Sequence, residues 1–200
     1  MALSDVLDHP EIYALWQAPF RRAKVQPFVR RNQFTKKLRV LDVGCGPGTN
    51  ATLFADHDYL GIDLSAHYIQ RAQTRFGPHF QQADATTFNP PEGAEYDVIF
   101  LNSLMHHLPD DLTVSMLQRL TASLAPTGRL HILDLVLPER SSLSRWLALQ
   151  DRGHYARSLT AWRTLFETVF AIDLFEPYPV RRLGLTFWQM VYCRGSRRDS

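Results

Sequence analysis

Three glycines at alternate positions, Gly44, Gly46 and Gly48, follow directly on the short apolar run Arg39 to Val43. No other feature restricts the fold of this chain as much. A run of that length ending in a Gly-rich turn has the pattern of a buried strand. A helix is expected next, from about Thr49 to Ala55. Glycines let the backbone turn sharply and let a ligand approach without meeting a Cβ. The helix N-terminus behind such a turn offers unpaired N–H groups to a polar ligand.

The same alternation continues downstream. Strands are expected at Tyr59 to Ile62, His79 to Gln82, Tyr96 to Leu101 and Arg129 to Val136. Ser65 can cap a helix whose apolar face is Ile69, Ala72 and Phe76. Asp110 or Asp111 can cap another, with Leu112, Met116, Leu117, Leu120 and Leu124 on one face and Ala125 to Gly128 stopping it. Leu143 to Leu149 reads as helical. Thr160 can cap a helix that turns Trp162, Leu165, Phe166, Val169 and Phe170 inward. Two β-rich stretches follow, Ala171 to Tyr178 and Thr186 to Cys193, both placed at the end of the same sheet. Strands alternating with helices argue for an α/β three-layer sandwich, a mostly parallel sheet covered by helices on both faces. Residues 1–38 precede the first strand and read as an N-terminal helical appendage. Pro10 suits a first helical turn there, while Pro19 and Pro27 break or restart the helix. Residues 39–200 form the main domain, within one globular unit.

The formal net charge of +2 names no nucleic-acid or membrane partner by itself. Residues 1–39, however, hold eight basic side chains against three acidic ones, a local excess of five. They form either a solvated helix face or a basic rim that attracts an anionic substrate. The two cysteines, Cys45 and Cys193, give no disulfide framework. Met1 to Phe20 lacks the apolar run of a signal peptide. No stretch approaches the roughly 20 apolar residues of a membrane span. The expectation is a cytoplasmic protein. The eight histidines show no metal-ligand spacing with carboxylates or cysteines, so no metal site is expected.

Asp63 lies at the end of the second strand, 19 residues after Gly44. An acid there can accept both hydrogen bonds of a ribose diol. A dinucleotide fingerprint wants G-x-G-x-x-G, and here the third glycine comes one place early. Asp42, two residues before the first glycine, would repel a pyrophosphate and favour a sulfonium and an ammonium group. A ligand combining ribose with both cations is S-adenosylmethionine.

Together these residues resemble the class I (Rossmann-like) S-adenosylmethionine-dependent methyltransferases, and among them the type 11/12-like domain. LDVGCGPGT from Leu41 is similar to the family's first motif, with Asp42, Gly44, Cys45, Gly46 and Gly48 on the cofactor. GIDLS (Gly61 to Ser65) is similar to the second, with Asp63 as ribose ligand and Leu64 beside it. QADA (Gln82 to Ala85) resembles the segment in which Asp84 meets the adenine amine, with Ala85 adjoining. YDVIFLNSLMHHLPD (Tyr96 to Asp110) resembles the fourth strand and its loop, and LAPTGRL (Leu124 to Leu130) the turn into the fifth. The resemblance implies seven strands with the last one antiparallel beside the sixth. It also implies an N-terminal lid over the cofactor with an aromatic, Tyr13 or Trp16, near the methionine moiety. Plain core packing of those aromatics is the alternative.

Methyl transfer needs a nucleophile held in line with the methyl group, and an oxygen nucleophile often needs a base. His106 and His107 follow the fourth strand and titrate near neutrality. One is expected to face the pocket, and the family favours His107. Both could equally be structural, bonding backbone across the loop. Asn102 and Ser103 sit at the strand's carboxyl end, where ligands bind in such sheets, and otherwise cap the loop. Asp151 to Arg157 concentrates charged and aromatic groups where this fold places acceptor-binding insertions. Arg152, Tyr155 and Arg157 are the candidate acceptor ligands, since Arg can clamp an anion. An Asp151–Arg ion pair fixing a turn is the bland reading.

The expected partner is a small-molecule acceptor, which can be anionic, methylated at oxygen or carbon. NSLM departs from the N/D-P-P-aromatic motif of enzymes that methylate amino groups. Alternatives are an RNA-directed methyltransferase using the basic N-terminal region and a non-catalytic S-adenosylmethionine-binding protein.

Overall fold

The computed structural model describes residues 18–150 and 153–198. A seven-stranded sheet runs through it in the order β3-β2-β1-β4-β5-β7-β6. The strands are β1 Arg39–Val43, β2 Asp58–Asp63, β3 Phe80–Gln82, β4 Tyr96–Asn102, β5 Leu124–Val136, β6 Ala171–Arg182 and β7 Leu185–Ser196. The first five pair in parallel, and β7 is antiparallel to both β5 and β6. The α/β sandwich and its antiparallel last strand are as expected. The helices are α1 Arg21–Arg31, α2 Ala66–Phe76, α3 Asp110–Ala122, α4 Leu143–Gln150 and α5 Leu159–Val169.

Side chains of a strand alternate between faces, so β1, β4 and β5 supply two separate cores. Leu41, Ile99 and Ile132 pack under α3 and α5 with Met116, Leu120, Trp162 and Phe166. Val40, Phe100 and Leu133 pack on the other face with α1, α4 and β7. Phe28 anchors α1 there, its ring within 4.9 Å of Phe100 and 5.0 Å of His131. A smaller cluster of Ile69, Ala72 and Phe80 seats α2. Burying each such large side chain stabilises by roughly 1.5–3 kcal/mol.

Several local expectations are corrected. Pro27 lies inside α1 and does not break it; its ring is buried in the core, which offsets the lost N–H. The helix expected at Thr49 to Ala55 is a 3₁₀ turn, Ala51–Phe54. Pro109 holds the cap position of α3, and Asp110 and Asp111 fall in its first turn without side-chain capping, where negative charge favours the helix dipole. Leu112 is exposed and Leu124 opens β5. The helix already ends at Ala122. Ala125 to Gly128 is an excursion within β5, where the β4 pairing jumps from Tyr96–Leu124 to Val98–Arg129. Ser158, two residues before Thr160, caps α5 by accepting from Ala161 N.

Strands β6 and β7 form a long hairpin. Its two-residue turn, Leu183 and Gly184, has positive φ at both positions, 49° and 79°, as a type I′ turn requires.

Candidate active site

The carboxyl ends of β1, β2, β3 and β4 bring most of the expected cofactor residues to one edge. Gly44, Gly46 and Gly48 all take positive φ, 73°, 55° and 74°. Gly44 N and Cys45 N donate to Ile62 O at 2.8 and 3.0 Å, which ties the turn to β2. A Cβ built on Gly46 would meet nothing within 4 Å, whereas one on Gly48 would press on the Phe76 ring. The turn is therefore closed on its protein side and open where a ligand can lie.

Asp63 holds this turn in place. Its Oδ2 accepts from Gly46 N and its Oδ1 from Ser65 N, each at 2.9 Å. A carboxylate has about four acceptor positions, so two remain for hydroxyl groups. Leu64 beside it is exposed. Ala83 N donates to Asp63 O, which brings β3 and its following turn alongside. Asp84 caps that turn, its Oδ1 accepting from Thr86 N and Oγ1 at 2.8 and 2.7 Å. Ala85 packs against the core beneath it.

Asp42 is buried behind the glycines. Its Oδ2 accepts from Tyr59 Oη at 2.8 Å, and its Oδ1 is buried with no partner among the described residues. Burial pushes its carboxyl up to about 7; the Tyr59 hydrogen bond works against this and the Asp63 charge adds to it. A cation brought to this turn would satisfy a carboxylate that the protein leaves half-paired. Cys45 is also buried, and burial raises its thiol far above the ordinary range, so it fills space and is no nucleophile.

At the end of β4, Ser103 adopts a positive φ of 57°, a strained conformation for a side-chain-bearing residue. Its N–H donates to Leu133 O and its hydroxyl to Asn102 Oδ1. The chain then enters a 3₁₀ turn, Met105–His107. The two histidines separate here. His106 is buried and its Nδ1–H donates to Asp134 Oδ1 at 2.6 Å. Asp134, fully buried on β5, also accepts from Met105 N and Leu135 N. Burial would raise the Asp134 carboxyl, but the His106 charge and these three hydrogen bonds outweigh it and hold it below the usual carboxylate range. His107 is exposed, with its ring centroid 4.2 Å from that of His106.

The segment after α4 closes over His106. A Cβ on Gly153 would overlap the His106 ring and lie 2.6 Å from its carbonyl oxygen. Tyr155 N donates to that same oxygen at 3.0 Å, and the Tyr155 side chain is about two-fifths exposed. Arg157 is not where an acceptor ligand should be. It is 7% exposed. Its guanidinium donates to Asp110 Oδ1, Met105 O and Leu108 O at 2.7, 3.0 and 2.7 Å and lies over the Trp162 ring. It is an internal strut whose partner is Asp110. Tyr13, Trp16, Asp151 and Arg152 lie outside the described residues. Asp134 and Tyr59 were not singled out in the sequence. The signal for Asp134 was an acid inside the apolar run HILDLVL, since an acid on a strand covered on both faces must have a partner.

Residues 40–128 match the family described as a methyltransferase domain. The trans-aconitate 2-methyltransferase of Rhizobium leguminosarum bv. trifolii is 29% identical over 170 residues, 80% of this chain and 59% of that protein. An uncharacterized methyltransferase of Mycobacterium bovis is 35% identical over 54% of this chain and 58% of its own length. The chain thus spans about three fifths or less of the length of these curated relatives. Among solved structures, a TehB-like SAM-dependent methyltransferase from Corynebacterium glutamicum superposes with a TM-score of 0.64 at 17% identity, covering 96% of this chain and 99% of that one. The YcgJ protein of Bacillus subtilis gives 0.68 at 17% identity, covering 90% of this chain and all of that one. These structures share the fold. The glycine turn lies within the matched segment, and the motif order agrees with a methyltransferase domain over residues 40–128.

Proposed function

We propose that this chain transfers the methyl group of S-adenosylmethionine to a small-molecule acceptor, at oxygen or carbon. The observation that carries the reading is the convergence of an open glycine turn, Asp63 and the half-paired, buried Asp42 on one sheet edge. The cofactor supplies a methyl group on a positively charged sulfur, which departs as a neutral thioether. Asp63 takes the ribose hydroxyls with the acceptor positions that the turn leaves unused. Asp84 Oδ2 meets the adenine amine, Leu64 and Ala85 wall the ring, and Asn102 and Ser103 face the reacting end. The Asp42 charge favours the cationic part of the ligand over a pyrophosphate.

His107 is the candidate base for an oxygen acceptor, because it is exposed at the mouth of the edge. His106 acts through position: the Asp134 pair and Gly153 fix it, and its ring sets that of His107. Tyr155 borders the acceptor. Most of the rate comes from alignment. Five relatives carry the name trans-aconitate 2-methyltransferase, which supports a small, anionic acceptor. RNA suits the surface less well, because Arg30 and Arg31 are already paired with Glu176.

Calorimetric titration with S-adenosylmethionine and, separately, NADH tests the reading. Micromolar binding of the first with none of the second is expected. A folded sample that binds NADH, or binds neither ligand with candidate acceptors present, would overturn it.

A further inference from the structure

A cavity of about 370 Å³ opens at the opposite, amino-terminal edge of the sheet, beneath the loop that joins α1 to β1. That volume suits a small ligand. Its polar lining is nearly all donors: Lys36, Arg129, Arg194 and His131, with Asp97 as the one acid. Asp97 is already occupied in part, its Oδ2 accepting from Arg39 N at 2.9 Å. Arg129 donates from Nε to Asp173 at 2.7 Å, and its Nη1 holds the carbonyls of Thr127 and Gly128. Arg194 Nε lies 3.9 Å from the same Asp173, an ion pair too long for a hydrogen bond, and it has no hydrogen-bond partner among the described residues. Arg129 and Arg194 thus share one carboxylate, and Arg194 is under-bonded.

His131 makes this more than a basic surface. It is only 2% exposed, and the hydrogen bonds behind it fix where its proton sits. Asn32 Nδ2 donates to Phe28 O and to Tyr192 Oη, at 2.7 and 2.8 Å. The Tyr192 hydroxyl has one proton, and its remaining neighbour is His131 Nδ1 at 2.9 Å. Nδ1 is therefore the acceptor. Burial first, then the Arg194 and Arg129 charges, push the imidazole down to about 3 and keep it neutral. A neutral ring that accepts at Nδ1 carries its proton on Nε2. Among the described residues Nε2 has no hydrogen-bond partner, and it is not a buried orphan, so it is left to the cavity that His131 lines. A nearly buried donor in a fixed tautomer, beside an under-bonded guanidinium and the Lys36 ammonium, is a receptor for oxygen anions.

We propose that this cavity binds a small polyanion, a phosphate monoester or a polycarboxylate, at a site separate from the methyl-transfer edge. The charge-assisted bonds run from Arg194 and Lys36, and His131 Nε2–H donates the directional one. Because the lining comes from the α1–β1 loop, β4, β5 and β7, an occupant fastens the segment before β1 to the sheet.

The test uses the whole chain and ¹⁵N-histidine NMR at constant ionic strength. Inorganic phosphate and citrate are titrated in separate arms, with chloride as the reference anion. Saturable movement of the His131 Nε2 resonance by one of them and not by chloride is expected, and which anion acts tells phosphate from polycarboxylate recognition. Lys36→Gln and Arg194→Gln should each weaken binding about tenfold or more, the scale of one lost charge-assisted bond. Lys36 is an exposed side chain, so its variant keeps the test valid if Arg194→Gln folds poorly. No saturable response to either anion, or unchanged affinity in Lys36→Gln, overturns the proposal. S-adenosylmethionine titrated into the same sample reports on the methyl-transfer edge independently.

Discussion

The two halves of the sheet's carboxyl edge are built by different means. On the β1–β3 side the site is made of backbone: three glycines at positive φ, with Asp63 spending a hydrogen bond on each of two N–H groups to hold the turn. On the β4–β5 side it is made of buried charge: His106 on Asp134, and Arg157 on Asp110 and two carbonyls. The first half is defined by local conformation and stays open to a ligand. The second is defined by contacts between distant segments and leaves little unpaired. Ligand affinity should therefore reside in the first half, and the stability of the loop after β4 in the second.

The largest expected effect tests the second half. Asp134→Asn should lower stability by about 3–5 kcal/mol, the cost of breaking a buried pair by removing one partner, read as a shifted denaturation midpoint. The wild-type Asp134 carboxyl is depressed, so its contribution is present above the ordinary carboxylate pKa near 4 and is lost as pH falls further. The variant should lack that acid-sensitive contribution. A loss below about 1 kcal/mol would place the pair among surface-type contacts and dissolve the contrast.

Next comes the first half. Asp63→Ala should weaken S-adenosylmethionine by about 1.5–3 kcal/mol, the scale of hydrogen bonds to a charged acceptor, while the variant remains folded. Unchanged affinity would remove Asp63 from the site. Gly153→Ala sharpens the boundary between the halves. Its Cβ must displace His106, at about 1–3 kcal/mol of strain. Turnover should drop while cofactor affinity holds, and an equal loss in both would show that the halves are not separable.

The smallest effect is electrostatic. The Asp42 carboxyl, raised to about 7, ionises more easily once a cation lies beside it. Cofactor affinity should rise about tenfold from pH 6 to pH 8, some 1.4 kcal/mol, with proton release seen as a buffer-dependent binding heat. Asp42→Asn should abolish both. The sign for folding is opposite: a raised carboxyl makes the protein less stable as pH climbs from about 4 to 7.

How much was legible in the sequence follows the same division. The glycine turn, β1 with its observed bounds, and the Ser65 cap could be read directly, because each depends on residues a few positions apart. Where two neighbours compete for one local role, the sequence does not choose between them: Ser158 and Pro109 hold caps expected of Thr160 and Asp110 or Asp111. Pro27 was read as a breaker because burial of its ring is invisible locally. Arg157 was misread for a stronger reason. The four groups of the β4–α3 segment that it binds lie between 44 and 52 residues away along the chain, and nothing in DRGHYAR tells a surface clamp from an internal strut. The Asp134–His106 pair, 28 residues apart, was hidden in the same way.

The strand order also has a consequence for how the molecule assembles. β6 reaches the sheet only through β7, so on synthesis Ala171–Arg182 leaves the ribosome before its sole neighbour exists. Pairing of β6 therefore waits for β7 and for the turn between them. Hairpin closure takes about 1–10 μs and depends on the Leu183–Gly184 turn, whose first residue is a leucine at positive φ, where Asn or Gly is the better fit. Until that turn forms, β6 is an unpaired edge open to other chains, and the nascent protein's exposure to aggregation is set at that turn.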